Sequence, residues 1–383
     1  MNKSKIVNKK NIEKSAIIKD VKSATKPAIV SVVPNHEIQL NLLHKSGRYN
    51  QVYMKEYKKM IASLLPDPES IDPSFNNKEM LPRQNEVKTV KSLYSTKKAK
   101  LPTCSREKEK MWKKLKILQL EKKNSVTLKE NIRTGARVVE KLMEGQRHYD
   151  KEMNFFTQAH HGSTKYFPSF ICSAKPKKRN ERYSIITDFI DGDKSHVMAS
   201  VATPEQLRHM VAQLFNSIVE LHRVGFIHCD LSPANVMVTK DFEVKLIDFG
   251  MAMPVGQANG YRGSFYIRAP ELHEMCPGKI DVAIDWWAFG VTVSMWYYYH
   301  YNPEALLLTD HTYQFTPMKL QVKTKKFTAG IIPQQFSPEL RKFLSLFLTI
   351  DPEFRTFSTV RLQNIIRNHE YFRGFDWNTA DKS

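Results

Sequence analysis

The chain lacks any long apolar run: nowhere does a hydrophobic stretch approach the ~18 residues of a membrane helix. Its start, MNKSKIVNKKNIEKSAIIKD, carries lysines but no apolar core of the kind a secretion signal needs. Neither export nor membrane spanning is expected. Cysteine is equally sparse. Cys104, Cys172, Cys229 and Cys276 show neither metal-ligand spacing nor the close, even framework of a disulfide-stapled domain. That excludes a cystine-rich fold and points to a reducing, intracellular compartment, cytoplasmic or nuclear. Acidic residues are outnumbered, 39 against 59 Lys and Arg, and more than half of the resulting net charge of +20 falls within the first hundred or so residues.

With 41% hydrophobic residues the rest of the chain can bury a sizeable core. Residues 1–105 mix Lys, Asn, Ser and Pro with short apolar patches, and the stretch SLLPDPESIDPSFNNKEMLPRQN is turn-forming throughout. A mostly disordered basic arm is expected. Its clusters at Lys9 and Lys10, and at Lys97, Lys98 and Lys100, suit a polyanion such as nucleic acid, chromatin or a microtubule; a solvated tail without a partner explains them as well. From residue 106 the character changes. EKEKMWKKLKILQL reads as helix or strand, SVTLKE and GARVVEKLM read as strands, and TPEQLRHMVAQLFNSIVELHRVG reads as a long buried helix with Gly225 beyond its end.

The chemistry-bearing residues lie in HCDLSPANVMV and VKLIDFG. Asp230 and Asn235 share one loop, and Asp248 ends an apolar strand-like run. Phosphoryl transfer needs a carboxylate to orient and deprotonate the attacking hydroxyl, and hard oxygen ligands to hold Mg²⁺ on the phosphates. Asp230 suits the first task; Asn235 and Asp248 suit the second.

From about residue 110 to about 377 the chain resembles the eukaryotic protein kinases. The catalytic loop is similar to the family's HRD loop with Cys229 in the arginine position, and DFG stands intact as Asp248, Phe249 and Gly250. GSFYIRAPE resembles the end of an activation segment, with Ala269, Pro270 and Glu271 in its last three places. DWWAFG follows, where the resemblance implies that Asp285 bonds the backbone of the catalytic loop. FLTIDPEFRTFS supplies Arg355 as the implied ion partner of Glu271, and HEYFRGFDW is similar to the tail of the AGC kinases' domain. HCDLSPAN taken alone resembles small-molecule phosphotransferases equally well, but GSFYIRAPE and DWWAFG belong to a platform for a protein substrate. The resemblance implies an α+β, two-lobed fold with a small β-rich lobe at 106–190 and a larger helical lobe at 191–377. It also implies ATP and Mg²⁺ as cofactors, protein substrates, and His228 as a packing residue beneath Phe249.

In the small lobe, ARVVEKLM resembles the strand that carries the phosphate-binding lysine, implying that role for Lys141, with Val139 in the adenine ceiling. Glu152 in YDKEMNFF resembles the helix glutamate that holds that lysine. The plain alternatives are a strand-surface lysine and a surface helix acid. ERYSIITDFIDGD resembles the strand and linker joining the lobes, with Thr187 in the gatekeeper place and Asp188, Phe189 and Ile190 bonding adenine; an ordinary core strand and turn fits the same residues.

Three departures stand out. KILQLEKKNSVTLKENIRT contains no glycine where a glycine-rich phosphate loop belongs, so Lys122, Lys123, Asn124 or Ser125 would have to serve instead. Ser232 occupies the usual lysine place of Ser/Thr kinases, and Ala234 the arginine place of tyrosine kinases, so a positive charge is missing. Cys229 removes the cation that receives an activation-loop phosphate, though Tyr261 and Ser264 remain candidate phosphosites; the resemblance rather gives Ser264 the substrate-positioning place held by Thr in GTPxYxAPE patterns, which implies Ser/Thr over Tyr as acceptor. Two functions are therefore weighed: a divergent, AGC-like Ser/Thr protein kinase, and a pseudokinase that works as a scaffold.

Overall fold

The computed structural model describes residues 101–104, 111–120, 124–159, 165–176, 178, 181–257, 267–272, 280–304, 332, 335–348, 352–355, 357 and 360–382. The basic arm's lysine clusters, Lys122, Lys123, Tyr261 and Ser264 lie outside the described residues.

Period-two patterning builds the small lobe. β1 (Trp112–Leu120), β2 (Asn124–Asn131), β3 (Arg137–Met143), β4 (Phe170–Ala174) and β5 (Tyr183–Asp188) form one antiparallel sheet in the order β1-β2-β3-β5-β4. EKEKMWKKLKILQL thus resolves as strand where the described residues begin. In β3 the buried Val138 and Glu140 face one side, and Val139 and Lys141, two apart, face the other. Val138 packs with Ile186 and Cys172. Glu140 tolerates its burial because Lys129 lies 2.6 Å away and the Ser184 hydroxyl donates to it at 3.0 Å. Between β3 and β4 runs α1 (Gln146–Ala159), whose Tyr149, Glu152, Phe155, Phe156 and Ala159 are buried along one face.

One expectation is corrected here. Cys104 and Cys172 are joined as a disulfide, with Cα atoms 5.2 Å apart across 68 residues of sequence. The backbone beside it is tied as well, Cys104 N donating to Ser173 O at 2.9 Å and Ser173 N to Pro102 O at 3.2 Å. Sequence spacing was blind to this pair because the entering segment lies beside β4 only in the folded lobe. The cysteine argument for a reducing compartment goes with it.

The larger lobe is helical. After β6 (Gly192–Lys194) and α2 (Ser195–Val201) comes α3 (Pro204–Arg223), which starts with a reciprocal capping box between Thr203 and Gln206, and Pro204 in its first turn. Gly225 follows with φ of 85°, a left-handed turn that glycine adopts without strain. β7 (Phe226–Ile227), β8 (Val236–Thr239), β9 (Val244–Leu246) and β10 (Met253–Pro254) are short, with β6-β8-β9 forming one small sheet and β7 pairing β10. α4 (Ala283–Tyr301) is buried nearly all round and forms the lobe's centre, with α2, α3 and α5 (Pro338–Ser345) packed against it; α6 (Val360–Arg367) and α7 (Trp377–Lys382) follow, α7 lying on α3. α7 ends past residue 377 and is fastened by Asp381, which accepts from Asn216 of α3 at 2.8 Å and from Arg367 of α6 at 2.9 Å. Among the described residues no helix is long and apolar enough to cross a membrane.

Candidate active site

The alternation of β3 aims Lys141 at the face on which α1 presents Glu152. Its Nζ lies 2.9 Å from Glu152 Oε2 and 2.7 Å from Asp248 Oδ1, so three separate elements meet at one ammonium. Burial alone would lower the pKa of Lys141; the two carboxylates outweigh it and hold the ammonium's pKa above its ordinary value. Burial pushes the Glu152 carboxyl up in spite of Lys141, whereas Asp248, though burial opposes it, is held below the usual range by Lys141. The eleven residues from Lys141 to Glu152 suffice because Gly145 alone separates the end of the Glu144 bend from α1.

Asp248 adopts the left-handed conformation, φ 63°, and accepts a hydrogen bond from Gly250 N at 3.2 Å. Such a backbone costs a non-glycine residue about 1–2 kcal/mol and persists only where its surroundings impose it. The next residue does so. Phe249 is fully buried, stacks on Phe155 of α1 with ring centres 3.6 Å apart, and meets Phe156, Phe167 and His228 edge-on or tilted. His228 thus packs beside Phe249 as the sequence implied. The same aromatic stack couples α1, and with it Glu152, to the position of Asp248.

The loop between β7 and β8 carries Asp230 and Asn235. Asn235 Nδ2 donates to Asp230 O at 2.8 Å and to Asp230 Oδ2 at 3.2 Å, which leaves the amide oxygen as the end of the side chain turned away from Asp230. The loop hangs from a buried carboxylate: Asp285 of α4 accepts from His228 N at 2.7 Å, from Cys229 N at 3.1 Å, and lies 3.0 Å from His222 Nε2. Cys229 is buried with φ of 65°, a second left-handed residue held by this anchor. Beside it, between Asp230, Arg268 and Asp285, remains a cavity of about 20 Å³, room for one water molecule. Arg355, fully buried, pairs with Glu271 at 2.6 Å and donates to Ala283 O at 2.9 Å.

Val139 lies opposite Thr187 in the β3–β5 register, one side chain along the same face from Lys141. Asp188 closes β5; its backbone N donates to Ser169 O at 3.0 Å and its carboxylate accepts from Ser169 N at 2.8 Å, so the side chain is committed to β4's approach. Ile190 follows in the linker, its carbonyl accepting from Gly192 N at 3.0 Å. Ser125 is buried in β2 opposite Leu142.

Two cations were not read from the sequence. Arg268 is buried next to Asp230, whose charge opposes the lowering that burial imposes on it. Lys194 reaches from the end of β6 to the catalytic loop, its Nζ 2.6 Å from Ala234 O. Neither stands in a motif; both depend on which strands and segments lie side by side. Among the described residues no group of three or more His, Cys, Asp or Glu could hold a metal ion unaided. Asp248 and Asn235 offer two hard oxygen donors, the partial set suited to a cation that arrives with phosphate oxygens and water as its remaining ligands.

A protein kinase domain model matches residues 115–372. The chain is similar to sperm motility kinase 2B of Mus musculus, 28% identical over 199 residues covering 49% of this chain and 38% of that protein. It is also similar to serine/threonine-protein kinase AtPK1/AtPK6 of Arabidopsis thaliana, 27% over 203 residues covering 51% and 41%, and to protein kinase kin1 of Schizosaccharomyces pombe, 26% over 212 residues covering 52% and 22%. The chain thus spans less than half the length of each of these relatives. The family model covers well over half of the chain: the chain belongs to the protein kinase family.

Proposed function

We propose that the chain transfers the γ-phosphate of ATP to Ser or Thr hydroxyls of protein substrates. The observation that carries this reading is the meeting of Lys141, Glu152 and Asp248 within 2.9 Å across β3, α1 and the loop after β9, with Asp248 in the strained left-handed conformation. Lys141 holds the α- and β-phosphates, already fixed by Glu152 before nucleotide arrives, so little ordering entropy is lost on binding. Val139 lines the adenine pocket, and the backbone of Asp188 and Ile190 bonds the base. Asp248 and the amide oxygen of Asn235 would hold Mg²⁺, which would supply charge neutralisation on the phosphates. Asp230, oriented by Asn235, takes the proton of the substrate hydroxyl as its oxygen bonds to the γ-phosphorus; the bond from that phosphorus to the bridging oxygen breaks and ADP leaves.

The Ser/Thr preference is supported by the similarity to serine/threonine-protein kinase AtPK1/AtPK6 and by Ser264 in GSFYIRAPE. An AGC-like placement rests on HEYFRGFDW. The basic arm remains a candidate contact for a polyanion. A second reading, a pseudokinase scaffold, is favoured by the glycine-free β1–β2 hairpin and by Ser232.

Incubating the full chain with γ-labelled ATP, Mg²⁺ and Ser/Thr and Tyr peptide libraries separates the two. Label on Ser/Thr peptides that Asp230→Asn and Asp248→Ala abolish supports the kinase. Nucleotide binding by calorimetry without any transfer supports the scaffold.

A further inference from the structure

The site has an unbalanced charge. Lys141 is shared by two carboxylates, Glu152 and Asp248, whereas Asp230 has Arg268 beside it. A nucleotide polyphosphate brings several more negative charges, and the catalytic loop offers Ser232 and Ala234 where cations belong in the family. Binding and transfer there call for another positive group.

Lys194 is built into the position from which it can act. The register of β6 on β8 sets Lys194 opposite Met237, two residues after Asn235. Gly192 permits that approach, since a Cβ there would lie 2.0 Å from Val238 O. The next residue, Ser195, donates its hydroxyl to Pro233 O at 3.0 Å and accepts from Trp296 Nε1 at 2.9 Å, so the β6–α2 corner is fixed to the loop without help from Lys194. The lysine stem then extends along the loop, and Nζ donates to Ala234 O, a neutral carbonyl, at 2.6 Å. Of the charges acting on this ammonium Asp248 is the strongest, ahead of its own neighbour Asp193.

As a mere tether Lys194 duplicates Ser195 and loses hydration to do so; burial lowers its pKa. An ammonium has three donors, and one carbonyl uses one of them. We propose that Lys194 is a nucleotide-binding residue whose ammonium pairs with the polyphosphate, supplying from the end of β6 the positive charge that Ser232 and Ala234 withhold. This rests on the kinase reading above, and it assigns the deficit in the catalytic loop to a residue outside every motif.

The test titrates the full chain calorimetrically with ATP, ADP and adenosine, comparing wild type with Lys194→Gln, which keeps a donor for Ala234 O without charge, and with Lys194→Arg, which keeps the charge. Lys194→Gln is expected to weaken ATP and ADP by about tenfold or more, the worth of a charge-assisted hydrogen bond, with adenosine within about twofold of wild type. Lys194→Arg is expected to recover most of the loss. Equal weakening of ATP and adenosine, or a lowered melting temperature of the nucleotide-free Lys194→Gln chain that Lys194→Arg shares, would establish a structural tether and overturn the proposal. Unchanged ATP affinity in Lys194→Gln overturns it also, while leaving the kinase reading intact. A wild-type chain that binds neither ATP nor adenosine overturns the kinase reading and this inference with it.

Discussion

Replacing Glu152 by Gln separates two roles of one buried carboxylate. Burial pushes the pKa of Glu152 upward in spite of Lys141, and because Lys141 keeps Asp248 as a charged partner, a neutral amide of the same shape should cost little stability. Lys141 would keep Asp248 at 2.7 Å but lose the ion partner at 2.9 Å. Asp248 then becomes the remaining carboxylate on the lysine and, in the proposed chemistry, a metal ligand as well. Binding Mg²⁺·ATP forces it to serve both. A hydrogen bond to a charged group is worth about 1.5–3 kcal/mol, and part of this is retained through the amide oxygen of Gln. The expected loss in Mg²⁺·ATP affinity is therefore about 1.4–2 kcal/mol, roughly ten- to thirtyfold. Metal-free ATP, which leaves Asp248 on Lys141, should weaken by no more than about threefold on the same scale. Titration calorimetry with and without Mg²⁺, beside a melting curve expected to move by no more than about 3 °C, reads both quantities. Equal weakening with and without metal would refute the competition argument. Unchanged affinity in both would show that the Lys141–Glu152 contact is incidental to nucleotide.

Three further perturbations test the frame around the site. His369 is buried, its Nδ1 accepts from Tyr371 N at 3.1 Å, and burial pushes its pKa down to about 4 from 6.5. The unfolded chain therefore takes up this proton first. Stability from keeping the ring neutral is complete above pH 6.5 and declines as pH falls from about 6.5 to about 4, by on the order of 2–3 kcal/mol. His369→Asn should flatten that window in urea melts across pH, and an unaltered slope would count against it. Gly192→Ala places a Cβ 2.0 Å from Val238 O and should cost more than about 2 kcal/mol by urea unfolding, as backbone must shift; wild-type stability would refute the packing described. Glu271→Gln removes the carboxylate that pairs with the buried Arg355 at 2.6 Å and should lower stability by about 2–4 kcal/mol, since Glu271 is itself a quarter exposed; a melting temperature within 1 °C of wild type would show the pair to be idle.

Much of the frame could be read from the amino acids because it is local. The alternation in RVVEKLM puts Val139 and Lys141 on one face whatever else happens, and Thr203, Pro204 and Gly225 bracket α3 by their own backbone preferences. Asp285, Arg355 and Glu271 were named because motif order transmits their partners, and the contacts are present. What escaped was what depends on lateral neighbours. Lys194 matters through the β6–β8 register, Arg268 through where its segment folds back on Asp230, and Cys104 through lying beside β4. Composition and periodicity carry no information about such adjacency. EKEKMWKKLKILQL was ambiguous for another reason: its exposed Leu115, Ile117, Leu118 and Leu120 break the in-and-out alternation by which a strand is recognised.

The Cys104–Cys172 bond makes the first part of the small lobe a ring rather than a thread. β1, β2, β3 and α1, with both Lys141 and Glu152, fall inside it. One peptide-bond cut anywhere within that ring opens it without releasing a fragment. A protease acting on the oxidised chain would thus have to cut twice before the lysine and its glutamate could part company from the rest of the cleft, and a single cut would appear as separate bands only after a reductant is added.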